Sequence, residues 1–330
     1  MHPPDSIDPA TAAKSPAFVA VDWGTSSLRA WVIDASGAVL AETRSAEGMS
    51  SVEPGSFEAV FRARIADLGD AVTRLPSPLP AVLCGMVGAR QGWREAGYLD
   101  VPAPLSDLAD RAVAVAADGI DARILPGLAR RATDRPDVMR GEETQLLGVV
   151  LDDPGASGLV CMPGTHSKWV TLQGGRVEDF TTVPTGELFQ VLSRETILRH
   201  TVGDAAATGD PSTAAFRAGL GDGLSDPGML CARLFSIRAA HLLAGVDGEA
   251  AADRLSGLLI GAEVGAMFAA VPSAEPVRLV AGGRLARLYA AAIEAAGRAV
   301  ALVDADHAVR AGLTHAARRL WPSSAGSPAR

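Results

Sequence analysis

The sequence predicts an α/β protein built from two domains of similar plan. Apolar runs typical of strands alternate with segments whose apolar residues recur at helical spacing. At 330 residues, 48% of them hydrophobic, the chain is long for one core and sufficient for two. The Gly-Thr pairs at 24–25 and 164–165 lie 140 residues apart, and Trp31 and Trp169 lie 138 apart. Two halves on one plan predict a pseudo-symmetric pair of domains whose matching loops face a shared cleft.

In the first half we predict three consecutive strands, then a helix, a strand, a second helix and a strand. The three strands are AFVAVD, LRAWVID and AVLAETR within residues 17–44, with a Gly-containing turn between the last two. Apolar spacing predicts a helix over 56–75, and a buried strand follows at 80–86. The second helix is expected between the Pro-rich VPAPL segment and a strand at 122–125.

The second half opens with the strands GLVCM, KWVTLQ and RVEDFTTV and then becomes helical. The predicted helices cover about 187–200, 211–221, 228–246 and 249–271. A strand at 276–283, a helix over 284–297, a strand AVALV and a helix ending at 320 follow. We therefore predict a disordered tail at 1–16, an N-terminal domain at 17–152 and a C-terminal domain with extra helices at 153–330.

Composition and charge exclude several classes of protein. The net charge of −8 argues against a nucleic-acid surface, because binding a phosphate backbone needs a basic face. Cys84, Cys161 and Cys231 are odd in number and far apart, which is typical of thiols in a reducing compartment. The six histidines show no metal-ligand spacing, and residues 1–16 lack the apolar core of a signal peptide. No apolar run reaches the ~18 residues of a membrane span, so we expect a cytoplasmic protein without a membrane or nucleic-acid partner.

The stretch VDWGTSSLRAW at 21–31 places a carboxylate, a glycine and three hydroxyls where one strand ends and the next begins. Asp22 at the strand end suits a hydrated Mg²⁺, which takes one or two carboxylates besides substrate phosphates. Backbone N–H groups made approachable by glycine, together with hydroxyls, hold phosphate oxygens without net positive charge. An ordinary tight turn with polar tips is the alternative. The first loop consists of Gly24, Thr25, Ser26 and Ser27, and the second loop of Gly164, Thr165, His166, Ser167 and Lys168.

Gly282 and Gly283 form a third Gly-rich turn, between a strand and a helix in VAGGRLARLY. Such a pair lets the backbone approach a flat ligand, and the helix N-terminus adds a favourable dipole. Simple chain reversal is the alternative. The chain has no GKS or GKT and no GxGxxG after a strand, so neither a P-loop nor a Rossmann site is predicted.

The stretch MRGEETQLLGVVL places Glu142 and Glu143 in the first turn of a predicted helix between the two halves. Carboxylates are favoured there by the helix dipole whatever their function. One of them, facing the cleft, is also suited to act as general base for a hydroxyl. The same ambiguity applies to Lys168, one of two lysines among 30 basic residues: it is either a phosphate-binding ammonium or a solvent-facing strand residue.

The order of these motifs resembles the actin-like ATPase superfamily of sugar kinases. Within it, seven runs are similar to 2-dehydro-3-deoxygalactonokinases: VDWGTSSLRAW, GMVGARQGW, LPGL, VMRGEETQLLG, MPGTHSKWV, TGELF and SGLLIGAEV. The resemblance, over residues 18 to about 295, implies two actin-like (ribonuclease H-like) domains with an ATP cleft between them. It also implies transfer of phosphate from ATP, with Mg²⁺, to the C6 hydroxyl of 2-dehydro-3-deoxy-D-galactonate, giving the 6-phosphate in galactonate catabolism.

Carried over by position, the resemblance gives Asp22 and the first loop a role at the metal and phosphates. It gives the second loop a phosphate role and Gly282–Gly283 an adenosine role. Glu142 stands where superfamily sugar kinases usually have an aspartate base, and this departure keeps Glu143 as a rival. The second loop also lacks the aspartate often found before its glycine, which argues against a metal contact from that side.

We expect an arginine to hold the substrate carboxylate, because bidentate guanidinium pairing suits a carboxylate and lysine is scarce. The substrate candidates are Arg29, Arg90 and Arg140, with Trp93 packing on the sugar chain and Glu187 of TGELF. An ATPase switch or a ligand sensor on the same fold is the alternative, although the chain shows neither a peptide-binding domain nor a DNA-binding helix pair. The expected partner is a small sugar acid, and a homodimer stays open.

Overall fold

The computed structural model describes residues 16–322, which divide into two units. Unit 1 comprises the described residues up to 155, residues 175–177 and the residues from 306 on, and unit 2 comprises 156–174 and 178–305. Of the predicted tail at 1–16, only Pro16 lies among the described residues, as the first residue of a strand. The last helix, which we expected in the C-terminal domain, clusters with unit 1.

The elements come in runs of strands and runs of helices along the chain. The strands are β1 (Pro16–Trp23), β2 (Leu28–Asp34), β3 (Val39–Ser45), β4 (Leu79–Gly85), β5 (Tyr98–Asp100), β6 (Ala103–Pro104), β7 (Val113–Ala117), β8 (Ile120–Ile124), β9 (Gly127–Arg130), β10 (Asp137–Met139), β11 (Gly158–Met162), β12 (Ser167–Gln173), β13 (Arg176–Val183), β14 (Val277–Ala281) and β15 (Val300–Asp304). The helices are α1 (Phe57–Ala66), α2 (Asp70–Thr73), α3 (Glu142–Asp152), α4 (Thr185–Glu195), α5 (Arg199–Val202), α6 (Ala214–Ser225), α7 (Leu230–Ala244), α8 (Gly248–Ala270), α9 (Gly283–Ala295) and α10 (Ala305–Leu320). Within residues 16–322, no helix combines the length and apolarity needed to cross a bilayer.

The main sheet of unit 1 has the strand order β3-β2-β1-β4-β8-β7. Strands β1, β2 and β3 are antiparallel neighbours, whereas β4 runs parallel to β1 and β8 parallel to β4. Alternate residues of β1 face opposite sides of the sheet. Val19 and Val21 belong to one core with Phe61 of α1, and Ala20 belongs to another with Leu313 of α10. Because both faces are covered, β1 is apolar throughout its centre instead of alternating with polar residues.

Unit 2 repeats this plan with strands in the order β13-β12-β11-β14-β15. Strand β11 is antiparallel to β12 and parallel to β14, as β1 is to β2 and β4. Trp31 pairs with Ala20 in the first sheet and Trp169 with Cys161 in the second, and both indoles are buried. The internal repeat and the α/β fold class of two actin-like domains are thereby confirmed. Small differences remain, since the first two residues of β13 cluster with unit 1 and pair with β6.

Helices α6 and α8 of unit 2 meet backbone to backbone. A Cβ on Gly219 or Gly223 of α6 would overlap the backbone of α8, and a Cβ on Gly257 or Gly261 of α8 would overlap that of α6. Only glycine permits so close an approach. Helix α8 is buried over most of its length, including its charged residues Asp253 and Glu263.

The second helix predicted for the first half is wrong. Between VPAPL and β8 the chain forms two short 3₁₀ turns, Leu105–Asp107 and Ala109–Arg111, and then β7, which pairs antiparallel with β8. The connecting residues are Asp118-Gly119, with Gly119 at φ 69°. Asp-Gly between apolar runs is a strong signal for a two-residue hairpin, and it outweighs the weak helical spacing of an alanine-rich segment. The helix predicted at about 187–200 is divided into α4 and α5 by the non-helical residues 196–198, whereas the other helices predicted for the second half and the strands at its end are confirmed.

Candidate active site

The first loop is a tight connection held in shape by its own backbone. The Gly24 amide donates to the Ser27 carbonyl at 2.9 Å, and the Gly24 and Thr25 carbonyls accept from Met49 and Ser50 at 2.9 and 3.0 Å. The hydroxyl-bearing residues 25–27 are exposed, whereas Trp23 before them and Leu28 after them are buried. The packing of the flanking strands therefore presents three hydroxyls to solvent on a fixed backbone.

Asp22 belongs to a chain of alternating charges within unit 1. Its carboxylate contacts the guanidinium of Arg29, which also contacts Asp306 at the start of α10, and Asp306 accepts from Arg44 at 2.7 Å. Burial alone would lower the pKa of Arg29, but the neighbouring Asp22 and Asp306 outweigh it and raise that pKa. Arg29, a predicted substrate contact, is thus engaged by carboxylates of the chain itself, and its substrate role stays a prediction.

The start of α3 packs against the end of β4 through two glycines. Gly141 has φ +108° and Gly85 has φ +91°, and a Cβ on Gly141 would lie 3.2 Å from the Gly85 Cα. Gly85 is paired in the sheet with Trp23, next to Asp22. The two glutamates that begin α3 are therefore carried to the edge of the sheet where β1 ends.

These two glutamates have different surroundings. Glu142 is partly exposed, and its carboxylate accepts from the Arg140 backbone amide at 3.1 Å. Glu143 is fully buried and accepts from the Gly141 amide at 2.7 Å. Burial, reinforced by the charge of Glu142, raises the pKa of Glu143 to about 8. Of the pair, Glu142 has the carboxylate that a substrate hydroxyl can reach, although its role as base stays a prediction.

Arg140 is the buried one among the three arginine candidates. Its side chain donates to the Ala96 carbonyl at 2.5 Å and lies 4.5 Å from the centre of the Tyr98 ring. Its Nε and Nη1 are buried and have no hydrogen-bond partner among the described residues. Buried N–H groups are rarely left unpaired, so these two donors are suited to an anionic ligand.

The other predicted substrate contacts of unit 1 lie in less enclosed positions. The Arg90 side chain is 82% exposed and lies 3.9 Å from the Glu95 carboxylate. Trp93 is partly buried and packs on Phe61, with ring centres 5.3 Å apart. Their substrate roles stay predictions, and neither joins the cluster around Asp22 in the contacts described above.

In unit 2 the second loop lies under the first turn of α4. The Glu187 amide donates to the Thr165 carbonyl at 3.0 Å, and a Cβ on Gly186 would lie 2.5 Å from the Gly164 carbonyl oxygen. His166 and Glu187 are joined side chain to side chain at 2.8 Å. Glu187, predicted from TGELF as a substrate contact, is therefore a neighbour of the second loop.

Lys168 is buried, in contrast to the solvent-facing alternative considered from the sequence. Its Nζ donates to the His166 carbonyl at 3.2 Å. The amino group of Lys168 is thus held against the backbone of the second loop. This position agrees with a phosphate role for Lys168, which stays a prediction.

A cavity of about 640 Å³ lies within unit 2, and Gly164 and Thr165 of the second loop are among its lining residues. This size is typical of a small-molecule site. Its walls come from α4, the 202–207 segment, α8 and α9, and combine apolar side chains such as Phe189, Leu259 and Leu288 with polar ones such as Ser193, Asp204 and Arg284. Gly282 and Gly283 directly precede the wall residue Arg284, and a Cβ on either glycine would meet open space.

Several residues of these clusters were missed from the sequence. Asp306 gave no motif signal, and Tyr289 and Ser256 lie in quoted runs without being singled out, because each role depends on contacts distant in the chain. The SGLLIGAEV run on α8 was noted only as part of the family resemblance. Glu263 of this run is notable because it is a buried carboxylate. Apolar periodicity predicts a buried helix here, but it does not reveal which polar residues are buried with it.

No metal cluster is preassembled in the part of the chain described here. Among residues 16–322, no group of three or more His, Cys, Asp or Glu side chains is arranged to hold a metal ion.

Comparisons with known proteins agree with one another. The family profile for 2-keto-3-deoxy-galactonokinase matches residues 22–316. A probable 2-dehydro-3-deoxygalactonokinase of Rhizobium meliloti strain 1021 is 49% identical over 305 residues, covering 92% of this chain and 98% of the relative. The 2-dehydro-3-deoxygalactonokinase of Escherichia coli K12 is 39% identical over 297 residues, covering 90% and 96%.

A solved structure extends this likeness to three dimensions. The crystal structure of a candidate 2-dehydro-3-deoxygalactonokinase from Sinorhizobium meliloti has a TM-score of 0.86 and 49% identity, covering 92% of this chain and 99% of that one. The range matched by the family profile includes both loops, the start of α3 and every residue that lines the cavity.

Glu143→Gln should change how stability depends on pH. Because the folded-state pKa of about 8 lies above the ordinary 4.5, the folded chain keeps a proton that the unfolded chain releases. The stability from this group is complete below about pH 4.5 and is lost as pH rises toward 8, by at most about 1.4 kcal/mol per pH unit. Urea unfolding between about pH 5 and pH 8 should show that fall in the wild type and a flatter profile in the variant.

Glu53→Gln, at an exposed position, is the control and should retain the wild-type slope. A Glu143→Gln profile as steep as that of the wild type would mean that Glu143 is ionised in the folded protein.

Proposed function

We propose that this chain, which belongs to the 2-keto-3-deoxy-galactonokinase family and is a kinase, transfers the γ-phosphoryl group of ATP to the C6 hydroxyl of 2-dehydro-3-deoxy-D-galactonate. The product would be the 6-phosphate, formed in galactonate catabolism. The observation that carries the nucleotide part is the cavity of unit 2, whose lining includes the glycine and threonine of the second loop. The names of the relatives at 49% and 39% identity support the choice of sugar acid.

Unit 2 would bind the nucleotide. The apolar walls around Leu259 and Leu288 suit a flat base, and the loop end of the cavity at Gly164 and Thr165 suits the phosphates. In a chain of net charge −8, phosphates must be held by local groups. Backbone N–H groups, the Thr165 hydroxyl and the ammonium of Lys168 are such groups.

Unit 1 would contribute the carboxylate for Mg²⁺. Mg²⁺ prefers one or two carboxylates together with phosphate oxygens and water, and Asp22 at the end of β1 fits that donor set as a single oxygen ligand. Its side chain is 13% exposed and already balanced by Arg29, so the site is polar before any ligand binds. When bound, the metal would supply positive charge toward the phosphate oxygens.

Glu142 and Arg140 would act on the sugar acid. Arg140 has two buried N–H donors without a partner among residues 16–322, which suits the substrate carboxylate. Glu142 would hydrogen-bond the C6 hydroxyl, orient its oxygen toward the γ-phosphorus and accept its proton as the new O–P bond forms. Positioning and charge stabilisation carry most of such a transfer, so the carboxylate acts chiefly by holding the hydroxyl in line.

The test of the proposed function is ADP release measured by a coupled assay with a panel of keto-deoxy sugar acids. We expect ADP release to require the sugar acid and to be fastest with 2-dehydro-3-deoxy-D-galactonate. Phosphate at C6 should be identified in the product by phosphorus NMR. Rapid ADP release without any sugar acid would favour an ATPase switch, and no release under any condition would favour a sensor.

Glu142→Gln should reduce kcat by about 10²–10⁴-fold, the usual contribution of a general base. ATP binding should stay near that of the wild type, because the amide keeps the size of the side chain. The matched control is Glu143→Gln, one residue along α3 and buried. If Glu143→Gln is inactive and Glu142→Gln active, the base is Glu143, and if both stay active, positioning by other groups suffices.

Arg140→Ala should raise the KM for the sugar acid by about tenfold or more, since a charge-assisted hydrogen bond contributes roughly 1.5–3 kcal/mol. Arg90→Ala, at an exposed position, should change that KM less than twofold. Thermal melting of both variants separates binding from stability, because Arg140 also contacts the Ala96 carbonyl. A raised KM in Arg90→Ala with a normal KM in Arg140→Ala would assign the carboxylate to Arg90.

A further inference from the structure

Glu263 of α8 is a carboxylate buried in the interior of unit 2, with 4% of the residue exposed. It has no cationic partner in the described hydrogen bonds and instead accepts from neutral donors. The Trp169 indole N–H donates to Oε1 at 2.7 Å, and the Tyr289 hydroxyl donates to Oε2 at 2.6 Å. A charge buried this deeply persists only when its oxygens are well satisfied.

Two further hydroxyls complete this arrangement. Thr185, the first residue of α4, hydrogen-bonds to the Glu263 side chain. Ser167 lies 3.0 Å from the Tyr289 hydroxyl and 3.5 Å from Glu263 Oε2. Ser167 has one hydroxyl hydrogen, and both the Tyr289 hydroxyl and Glu263 Oε2 are within reach as its acceptor. Burial raises the pKa of Glu263, and the four donors oppose that rise.

The partners of Glu263 are parts of the candidate nucleotide site. Ser167 belongs to the second loop, and both Thr185 and Tyr289 line the cavity. They come from three separate elements, β12, α4 and α9, and Glu263 adds a fourth. One side chain thus joins the loop to two walls of the cavity.

We propose that Glu263 is a positioning residue for the nucleotide: its carboxylate holds the second loop and the cavity walls in the shape that binds the triphosphate. This inference rests on the proposed function of the cavity. Glu263 is not in the cavity lining, so it acts through its partners. Ser167 of the second loop contacts both Glu263 and Tyr289, so we expect a change at Glu263 to affect phosphate binding more than binding of the base.

The test is Glu263→Gln in the full-length protein, with binding measured by calorimetry using a non-hydrolysable ATP analogue. The amide has nearly the same volume but replaces one accepting oxygen with a donor, so it cannot satisfy the indole and all three hydroxyls in the same way. We expect the Kd for the analogue and the KM for ATP to rise about tenfold. The Kd for adenosine, the KM for the sugar acid and kcat at saturating ATP should change less than threefold.

Asp34→Asn is the matched control. Asp34 is equally buried, at 3%, and accepts from Ser36 and Ala38 in the β2–β3 turn of unit 1. This variant should lose thermal stability while its nucleotide affinity stays that of the wild type. If Glu263→Gln behaves in the same way, losing only stability, Glu263 is an ordinary structural residue and the proposal is overturned.

Tyr289→Phe provides a second variant if Glu263→Gln does not fold. It removes one hydroxyl and keeps the ring, so we expect a rise of about threefold in the Kd for the analogue. The double variant should bind no more weakly than Glu263→Gln alone, since Glu263 and Tyr289 belong to one hydrogen-bonded group that positions the loop. Losses of affinity that multiply in the double variant would overturn the proposal.

The wild-type protein separates the two hypotheses. If it binds neither the ATP analogue nor adenosine, the nucleotide site itself is refuted. If it binds both normally and the variants are unaffected, only the role of Glu263 is refuted.

Discussion

The contact between Gly85 and Gly141 is the constraint on which the arrangement of unit 1 depends. It permits the first turn of α3 to touch the end of β4 without an intervening side chain. Asp22 on β1 is the sheet partner of Cys84, one residue before this contact, and Glu142 lies one residue after it. A Cβ on Gly141 would press on the Gly85 Cα at 3.2 Å, and a Cβ on Gly85 would lie 2.6 Å from the Trp23 carbonyl oxygen, next to Asp22. The chemistry proposed for unit 1 is therefore set by backbone contact.

Three buried or half-buried carboxylates are stabilised in three different ways in this acidic protein. Asp22 is paired with a guanidinium, Glu143 tends to keep its proton, and Glu263 is surrounded by an indole and hydroxyls. Each environment suits a different role of the carboxylate. An ion pair can be rearranged when a ligand arrives, a protonated acid adds no charge beside its neighbour, and neutral donors fix orientation. The different partners thus explain why residues of the same type have separate roles in one protein.

Much of the fold could be predicted from the sequence because the strong signals are local. The duplicated strand plan, the hydroxyl-rich loops and the helices of the second half follow from periodicity and turn residues within short windows. The segment at 113–117 was predicted as a helix because alanine occurs in both helices and strands. The hairpin turn at 118–119 pairs it with β8, so it forms a strand. Contacts between distant residues were less accessible, since Arg29 pairs with Asp306, 277 positions away. The difference between Glu142 and Glu143 depends on which one faces the core, and the helix dipole favours both equally.

Unit 1 is assembled from both ends of the chain. Its central strand β1 lies near the start, while α10, whose residues Val309, Leu313 and Ala316 cover one face of that sheet, is the last helix described. During synthesis the sheet therefore emerges long before the helix that covers it. The apolar face that includes Ala20 therefore stays uncovered until unit 2 and then α10 have been synthesised. Unit 1 therefore completes its fold late in the synthesis of the chain. Deletion of α10 would leave one face of its sheet, which is synthesised first, without its apolar cover.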